Sequence, residues 1–230
     1  WSIHPWTKNR VLNGVARIPT NPKIYHITHV RNLPSIIDAG WLWSDAKRTE
    51  KQLRCDVVGM SHIKRRRLQE YEVRCHPGTY VGDYVPFYFC PRSIMLYILH
   101  MGNHQDLDYH EGQRPIVHLQ ADLHEVVRWA EKRRRRWAFS DRNAGATLAA
   151  FFDNVSMLDR LNWSAIRTNR WGDLSVKEGK QAEFLIHGSF PWRLVKRIGA
   201  IDEHIVSQVR QIIADAEYQP PVMAEPSWYY

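Results

Sequence analysis

Glu183 opens the run Glu183-Phe184-Leu185-Ile186, a carboxylate at the mouth of an apolar stretch that reads as a buried strand. Carboxylates favour loops and solvent faces. One fixed at a strand end can be aimed into a cleft, and a solvated strand-end glutamate is the plainer alternative. A second set of candidates lies in Ile24-Tyr25-His26-Ile27-Thr28-His29-Val30. Strand alternation puts His26 and Thr28 on one face, where two hydrogen-bonding groups could hold one ligand; a satisfied core histidine is the plainer role for His26. The third is Lys64-Arg65-Arg66-Arg67. Four consecutive cations on a helix cannot share a face, so at least one should turn toward the protein or a ligand. The fourth is the stretch 158–180, which interleaves Trp163, Arg167, Arg170, Trp171, Lys177 and Lys180. Alternating cations and flat rings suit a surface that binds single-stranded nucleic acid, and the stretch runs directly into Glu183.

These residues need elements to position them. Residues 24–30 form the first strand. A helix follows, with Asn32 as N-cap, Leu33, Ile36 and Ile37 at helical spacing, and Gly40 as its stop. Residues 44–56 read as a loop or weak helix. Tyr84 to Phe89 is a strand that Pro86 places at a sheet edge or strand start. Ser93 caps a helix ending near Gly102, and a strand covers Ile116 to Leu119. Asp122 and Glu125 resemble a capping box for a helix from Leu123 to Arg136. The stretch 158–180 reads as a long loop. A strand from Leu194 to Ile201 and an amphipathic helix from about His204 to Ala216 complete the pattern. Helices and strands mix without βαβ alternation, which predicts an α+β fold. One domain, 23–218, lies between an N-terminal arm, 1–22, and an extended C-terminal tail, 219–230.

The totals agree with a polyanion partner. The 230 residues carry a net charge of +8, and ten Trp, ten Tyr and seven Phe supply flat rings. Cys55, Cys75 and Cys90 lack the spacing of a zinc site or disulfide framework, which points to a reducing cytoplasm. The chain has no P-loop, no GxGxxG, no HExxH and no apolar run of membrane-spanning length. Acidic residues do not cluster near Glu183, which argues against metal-dependent phosphodiester cleavage.

A histidine strand, a tyrosine strand and a glutamate strand on a basic body resemble the His-Tyr-Glu class of ADP-ribosyltransferases. The blocks Ile24-Tyr25-His26-Ile27-Thr28-His29, Asn32-Leu33-Pro34-Ser35-Ile36, Asp83-Tyr84-Val85-Pro86-Phe87-Tyr88-Phe89, Pro91-Arg92-Ser93-Ile94-Met95-Leu96-Tyr97, Gln181-Ala182-Glu183-Phe184-Leu185 and Ser189-Phe190-Pro191-Trp192, with the ending Trp228-Tyr229-Tyr230, resemble the DarT family of DNA ADP-ribosyltransferase toxins. The resemblance implies a single-domain ADP-ribosyltransferase fold with a central, mostly antiparallel split sheet and flanking helices. It implies transfer of ADP-ribose from NAD to a base of single-stranded DNA, usually thymine, with no metal, and a macrodomain antitoxin as partner. Carried over by position, His26, Ile27, Thr28 and Ser35 would hold NAD, Tyr88 and Met95 would line its nicotinamide side, and Glu183 would be catalytic. The catalytic arginine, also beside the NAD, matches Arg66 best, with Arg65 and Arg67 in adjoining register. The substrate loop corresponds to the stretch ending at Lys180, with Arg170, Trp171, Lys177 and Lys180 as DNA contacts. Ile186-His187-Gly188-Ser189 departs from the family pattern. Two alternatives stand beside this reading: a non-catalytic single-strand binding module, or the same chemistry on RNA or another base.

Overall fold

The computed structural model describes residues 17–230 apart from 54, 57 and 59, so most of the expected N-terminal arm lies outside the described residues. The strands are β1 (Lys23–His29), β2 (Trp41–Trp43), β3 (Tyr84–Tyr88), β4 (Ile116–Asp122), β5 (Trp137–Ser140), β6 (Phe151–Phe152), β7 (Glu183–His187), β8 (Ser189–Pro191), β9 (Val195–Ala200) and β10 (Val222–Ala224). The helices are α1 (Leu33–Ala39), α2 (Asp45–Glu50), α3 (Ser61–Gln69), α4 (Ile94–Met101), α5 (Leu123–Lys132), α6 (Trp163–Arg167), α7 (Leu174–Gly179) and α8 (Glu203–Ile212). Eight strands form one sheet in the order β10-β9-β4-β1-β3-β7-β5-β6, and β2 pairs with β8. Every pairing is antiparallel except β9 with β10.

The sheet is split between β1 and β3. β1 and β4 pair along seven register positions, whereas β1 and β3 meet at Tyr25 and Tyr88 alone. This explains Pro86, which lies inside a central strand and not at an edge or strand start. Where the β1–β3 ladder has opened, no donor is needed from residue 86 on that side. The Pro86 carbonyl accepts a hydrogen bond from His26 Nδ1 at 2.8 Å instead.

Local capping accounts for several element ends. Ser93 accepts from the Leu96 amide, and Gly40 and Gly102 end α1 and α4 with φ of 70° and 61°. Asn32 does not cap α1 with its side chain. It donates to Thr28 Oγ1 and the Asp56 carbonyl while accepting from the Asp56 amide, and so ties β1 to the chain that follows α2. Helix α5 stops at Lys132, short of the expected Arg136, because Arg134 turns to positive φ and the chain re-enters the sheet as β5. The expected loop over 158–180 contains α6 and α7, capped by the side chains of Asn162 and Asp173.

Residues 219–230 are also not an extended tail. Strand β10 adds to the sheet edge, and Trp228 and Tyr229 are buried. The Tyr229 hydroxyl donates to the carbonyls of Ile116 and Gly199. A Cβ at residue 199 would lie 2.4 Å from the Trp228 ring, so only glycine allows that ring to seat. Gly199→Ala is therefore expected to destabilise the fold by about 1–3 kcal/mol through overpacking. Urea unfolding monitored by tryptophan fluorescence would check this.

One core gathers the buried faces of α5 and α8 with β1, β3, β4, β7 and β9. A second packs Leu96 and Leu99 of α4 against Ile27, Ile116, Trp228 and Tyr229. Among the described residues no helix is long and apolar enough to cross a membrane.

Candidate active site

Glu183, the first residue of β7, stands in register with Tyr88, the last residue of β3. Its side chain is 1% exposed. Such a carboxylate needs partners, and two groups supply them. Arg67 of α3 approaches end-on, Nη2 donating to Oε2 at 2.8 Å and Nη1 to Oε1 at 3.2 Å. The Ala144 amide donates to Oε1 at 2.9 Å. The Glu183 backbone amide donates to Ser140 Oγ, fixing the start of the strand. The two-pronged guanidinium contact sets the plane of the carboxylate. Oε2 takes only one of these donors and keeps acceptor capacity for another.

Burial by itself would lower the affinity of Arg67 for its proton, but the attraction of Glu183 more than offsets this and raises the pKa. Arg67 thus keeps its charge. Tyr88 stands beside it, its phenol held protonated by burial first and by the Glu183 charge second.

A cleft of about 760 Å³ is lined by His26, Ile27, Thr28, Ser35, Arg66, Arg67, Tyr88 and Met95, with Glu183 buried behind Arg67. The structure therefore brings together every expected NAD-binding residue. The volume is in the range of sites that enclose an organic ligand. Arg48 also lines the cleft, and its buried Nε has no partner among the described residues, a donor that suits a pyrophosphate. The His26 ring has a defined tautomer: Nδ1 faces a carbonyl, which can only accept, so Nδ1 carries the hydrogen. Burial lowers the pKa of this ring, leaving Nε2 as an acceptor at neutral pH.

Two sequence expectations change. Arg66 points away from Glu183: its Nε donates to Glu70 at 2.7 Å and its guanidinium lies over the Tyr71 ring at the cleft rim. Arg67 occupies the place beside the carboxylate. The signal was present, because Ile63 is an apolar residue one helical turn before Arg67 and marks the inward face of α3. Lys180 is not a surface contact for DNA. It is 1% exposed, its Nζ donates to the Thr168 carbonyl at 2.8 Å, and the Trp171 ring covers it at 5.1 Å. Arg170 and Lys177 are exposed and Trp171 is half-buried, all outside the cleft lining. Sequence reasoning did not pick out Ala144, Ser140 or Asn143. Asn143 accepts from the Gly145 amide and donates to Gln181, shaping the turn that aims the Ala144 amide.

The model of a family described as the ssDNA thymidine ADP-ribosyltransferase DarT matches residues 25–230. A DNA ADP-ribosyl transferase of Thermus aquaticus is 41% identical over 214 residues, covering 92% of this chain and 90% of that protein. The solved structure of Thermus sp. 2.9 DarT in complex with ADP-ribosylated ssDNA superposes with a TM-score of 0.82 at 34% identity, covering 92% of this chain and 98% of that one. The same protein in complex with NAD+ gives a TM-score of 0.80 at 32% identity, with 93% and 100% coverage. A DNA ADP-ribosyl transferase–DNA ADP-ribosyl glycohydrolase fusion protein of Thermosipho africanus is 23% identical over 92% of this chain and 50% of its own length. Fold and cleft thus place the molecule among the NAD-dependent ADP-ribosyltransferases, which excludes a purely binding module. Within that class the chain belongs to the DarT family and is a DNA ADP-ribosyltransferase acting on single strands.

Proposed function

We propose that Glu183 and Arg67 together catalyse transfer of ADP-ribose to thymine N3, with His26, Thr28, Ser35 and Tyr88 holding the donor. The observation that carries this reading is the two-pronged contact that Arg67, a residue of the cleft wall, makes on the buried Glu183 behind it. NAD supplies the ADP-ribosyl group: the bond from ribose C1′ to nicotinamide breaks, and a bond from C1′ to the base nitrogen forms. Glu183 accepts a hydrogen bond from a ribose hydroxyl through Oε2 and stabilises positive charge developing at C1′. His26 Nε2 accepts a further hydroxyl of the donor, and the Tyr88 ring offers the nicotinamide a flat wall.

Thymine in DNA has one ring N–H, at N3, and must lose that proton as the new bond forms. A duplex buries this atom in a base pair, so the base is presented from a single strand. Arg67 favours the deprotonated base by its fixed charge. It acts electrostatically and not as a base in this state, because Glu183 holds its proton more firmly than usual. Exposed Arg170 and Lys177 on the 158–180 stretch contribute cations to the strand's path. Modified thymine blocks pairing, so the activity is that of a cytoplasmic toxin, and its partner is a macrodomain antitoxin that removes the mark. The transferase–glycohydrolase fusion in Thermosipho africanus supports that pairing of activities.

The test is labelling of matched oligonucleotides, each lacking one base type, alongside an RNA strand. Label is expected on each thymine-containing DNA strand and absent from the thymine-free one. Equal labelling without thymine would refute the choice of base, and labelling of RNA at the same rate would refute the preference for DNA.

A further inference from the structure

A second cleft, of about 500 Å³, adjoins the first. It is lined by Lys23, Arg92, Arg167 and Lys180 together with the rings of Tyr25 and Trp163, and among the described residues no carboxylate lines it. Lys23 is neutralised by Asp122 at 3.1 Å. Among the described residues Arg92, Arg167 and Lys180 have no carboxylate partner within ion-pair distance, so the cleft keeps an unbalanced positive charge. Arg92 is poised by stacking, its guanidinium 4.3 Å from the centre of the Tyr230 ring. Its Nε is buried and has no hydrogen-bond partner among the described residues. An orphaned, oriented donor of this kind is costly unless a ligand completes it. Arg167 is exposed on α6, its guanidinium anchored through a hydrogen bond to the Arg17 carbonyl. Lys180 adds its charge from beneath, at the wall shared with Cys90.

The position of this cleft matters as much as its charge. Tyr25, which lines it, is the register partner of Tyr88, and Tyr88 is the register partner of Glu183. Phe89 and Cys90 continue β3 directly from Tyr88 into the cleft wall, a step of about 3.3 Å per residue. A strand whose target base sits at Glu183 therefore has a neighbouring backbone group within reach of Arg92 and Arg167.

We infer that the second cleft is a phosphodiester subsite for the substrate strand, with Arg92 and Arg167 binding the backbone next to the modified nucleotide. This rests on the transferase reading given above and extends it to a site that the catalytic cleft does not contain. The same anionic chemistry occurs in the pyrophosphate of NAD. The geometry favours the strand, because the cleft shares none of the first cleft's lining residues, His26 and Ser35 among them.

The experiment measures binding of a short thymine-containing single-stranded oligonucleotide by fluorescence anisotropy at several salt concentrations. It compares the parent with Arg167→Glu, Arg167→Lys and Arg92→Gln, and titrates NAD in parallel without DNA. Arg167→Glu is expected to weaken DNA binding about tenfold or more and to reduce the magnitude of the salt slope by about 0.7–1. Arg92→Gln should shift both in the same direction, Arg167→Lys should retain most of the affinity, and NAD affinity should not change. Arg167 is a surface residue, so Arg167→Glu keeps the test sound even if loss of the Tyr230 stack unsettles Arg92→Gln. Unchanged DNA affinity and slope in both charge-removing variants, with the parent still labelling DNA, would overturn the subsite and leave the transferase reading intact. A fall in NAD affinity without a fall in DNA affinity would also overturn it, reassigning the cleft to the donor. A parent that neither binds nor labels the oligonucleotide would overturn both.

Discussion

Glu183→Gln is expected to reduce ADP-ribose transfer by about a thousandfold or more while leaving the fold in place. Glutamine fills the same space and can still accept from the Ala144 amide, but its amide nitrogen cannot accept from Arg67 Nη2, so the fold is kept with a stability loss of about 1–3 kcal/mol. On the mechanism proposed above, the substitution removes the negative charge that would face ribose C1′ as that atom becomes positive. Charge placed where it develops in the transition state is among the largest catalytic contributions available to an enzyme. The loss should fall on kcat more than on the KM for NAD, because the carboxylate interacts most strongly with the transition state. Initial rates with labelled NAD and excess oligonucleotide, together with the urea midpoint, would check both halves. Parent-level turnover by Glu183→Gln would remove Glu183 from the chemistry.

Arg67→Ala is expected to lower transfer by about a hundredfold or more and to destabilise the fold by about 3 kcal/mol. The rate falls because the carboxylate loses the group that sets its plane and the base loses its stabilising charge. Stability falls because a carboxylate only 1% exposed is left, among the described residues, with the Ala144 backbone amide as its partner; breaking a buried pair on one side leaves an uncompensated charge. Arg66→Ala should behave differently. Its guanidinium is half exposed and paired with Glu70 at the cleft rim, so kcat should stay within about twofold and any effect should fall on the KM for NAD. The reverse order of severity would place the catalytic arginine at Arg66. Arg67→Lys separates charge from geometry, since an ammonium keeps the charge but cannot reproduce the two parallel contacts.

The contrast between these neighbouring arginines shows what kind of information the sequence held. Strands β1, β3 and β7 were legible because alternation and β-branched runs are local, and the caps at Ser93, Gly40 and Gly102 were legible for the same reason. The cluster of Glu183, His26, Thr28, Ser35, Tyr88 and Met95 followed from ordered blocks along the chain. Which cation of α3 turns inward was harder to read, since it depends on the helix's rotation against the sheet. That rotation is set by Leu68, whose side chain occupies the space where a Cβ on Gly82 would sit, and by Lys64 reaching Asp45. Ile63, one turn before Arg67, was the available clue.

Other misses have the same long-range origin. A lysine is rarely buried unless it is paired, so Lys180 read as a surface cation. Its burial depends on Thr168 and Trp171 folding over it. Pro86 read as an edge residue because the opening between β1 and β3 is a property of the whole sheet. Pro220 and Pro221 suggested an extended tail, while the neighbouring Trp228 and Tyr229 already carried enough apolar surface to need a core. The short helices α6 and α7 were missed although Asn162 and Asp173 are good N-caps. Their few residues give too little periodicity to register as helix.

The most direct test of the account is the intact mass of a short thymine-containing single-stranded oligonucleotide after incubation with NAD and, separately, the parent protein, Glu183→Gln, Arg67→Ala and Arg66→Ala. The account predicts a gain of one ADP-ribose unit with the parent and with Arg66→Ala, and no gain on the same timescale with Glu183→Gln or Arg67→Ala. A full gain with Glu183→Gln or Arg67→Ala would contradict the assignment of catalysis to the Glu183–Arg67 pair.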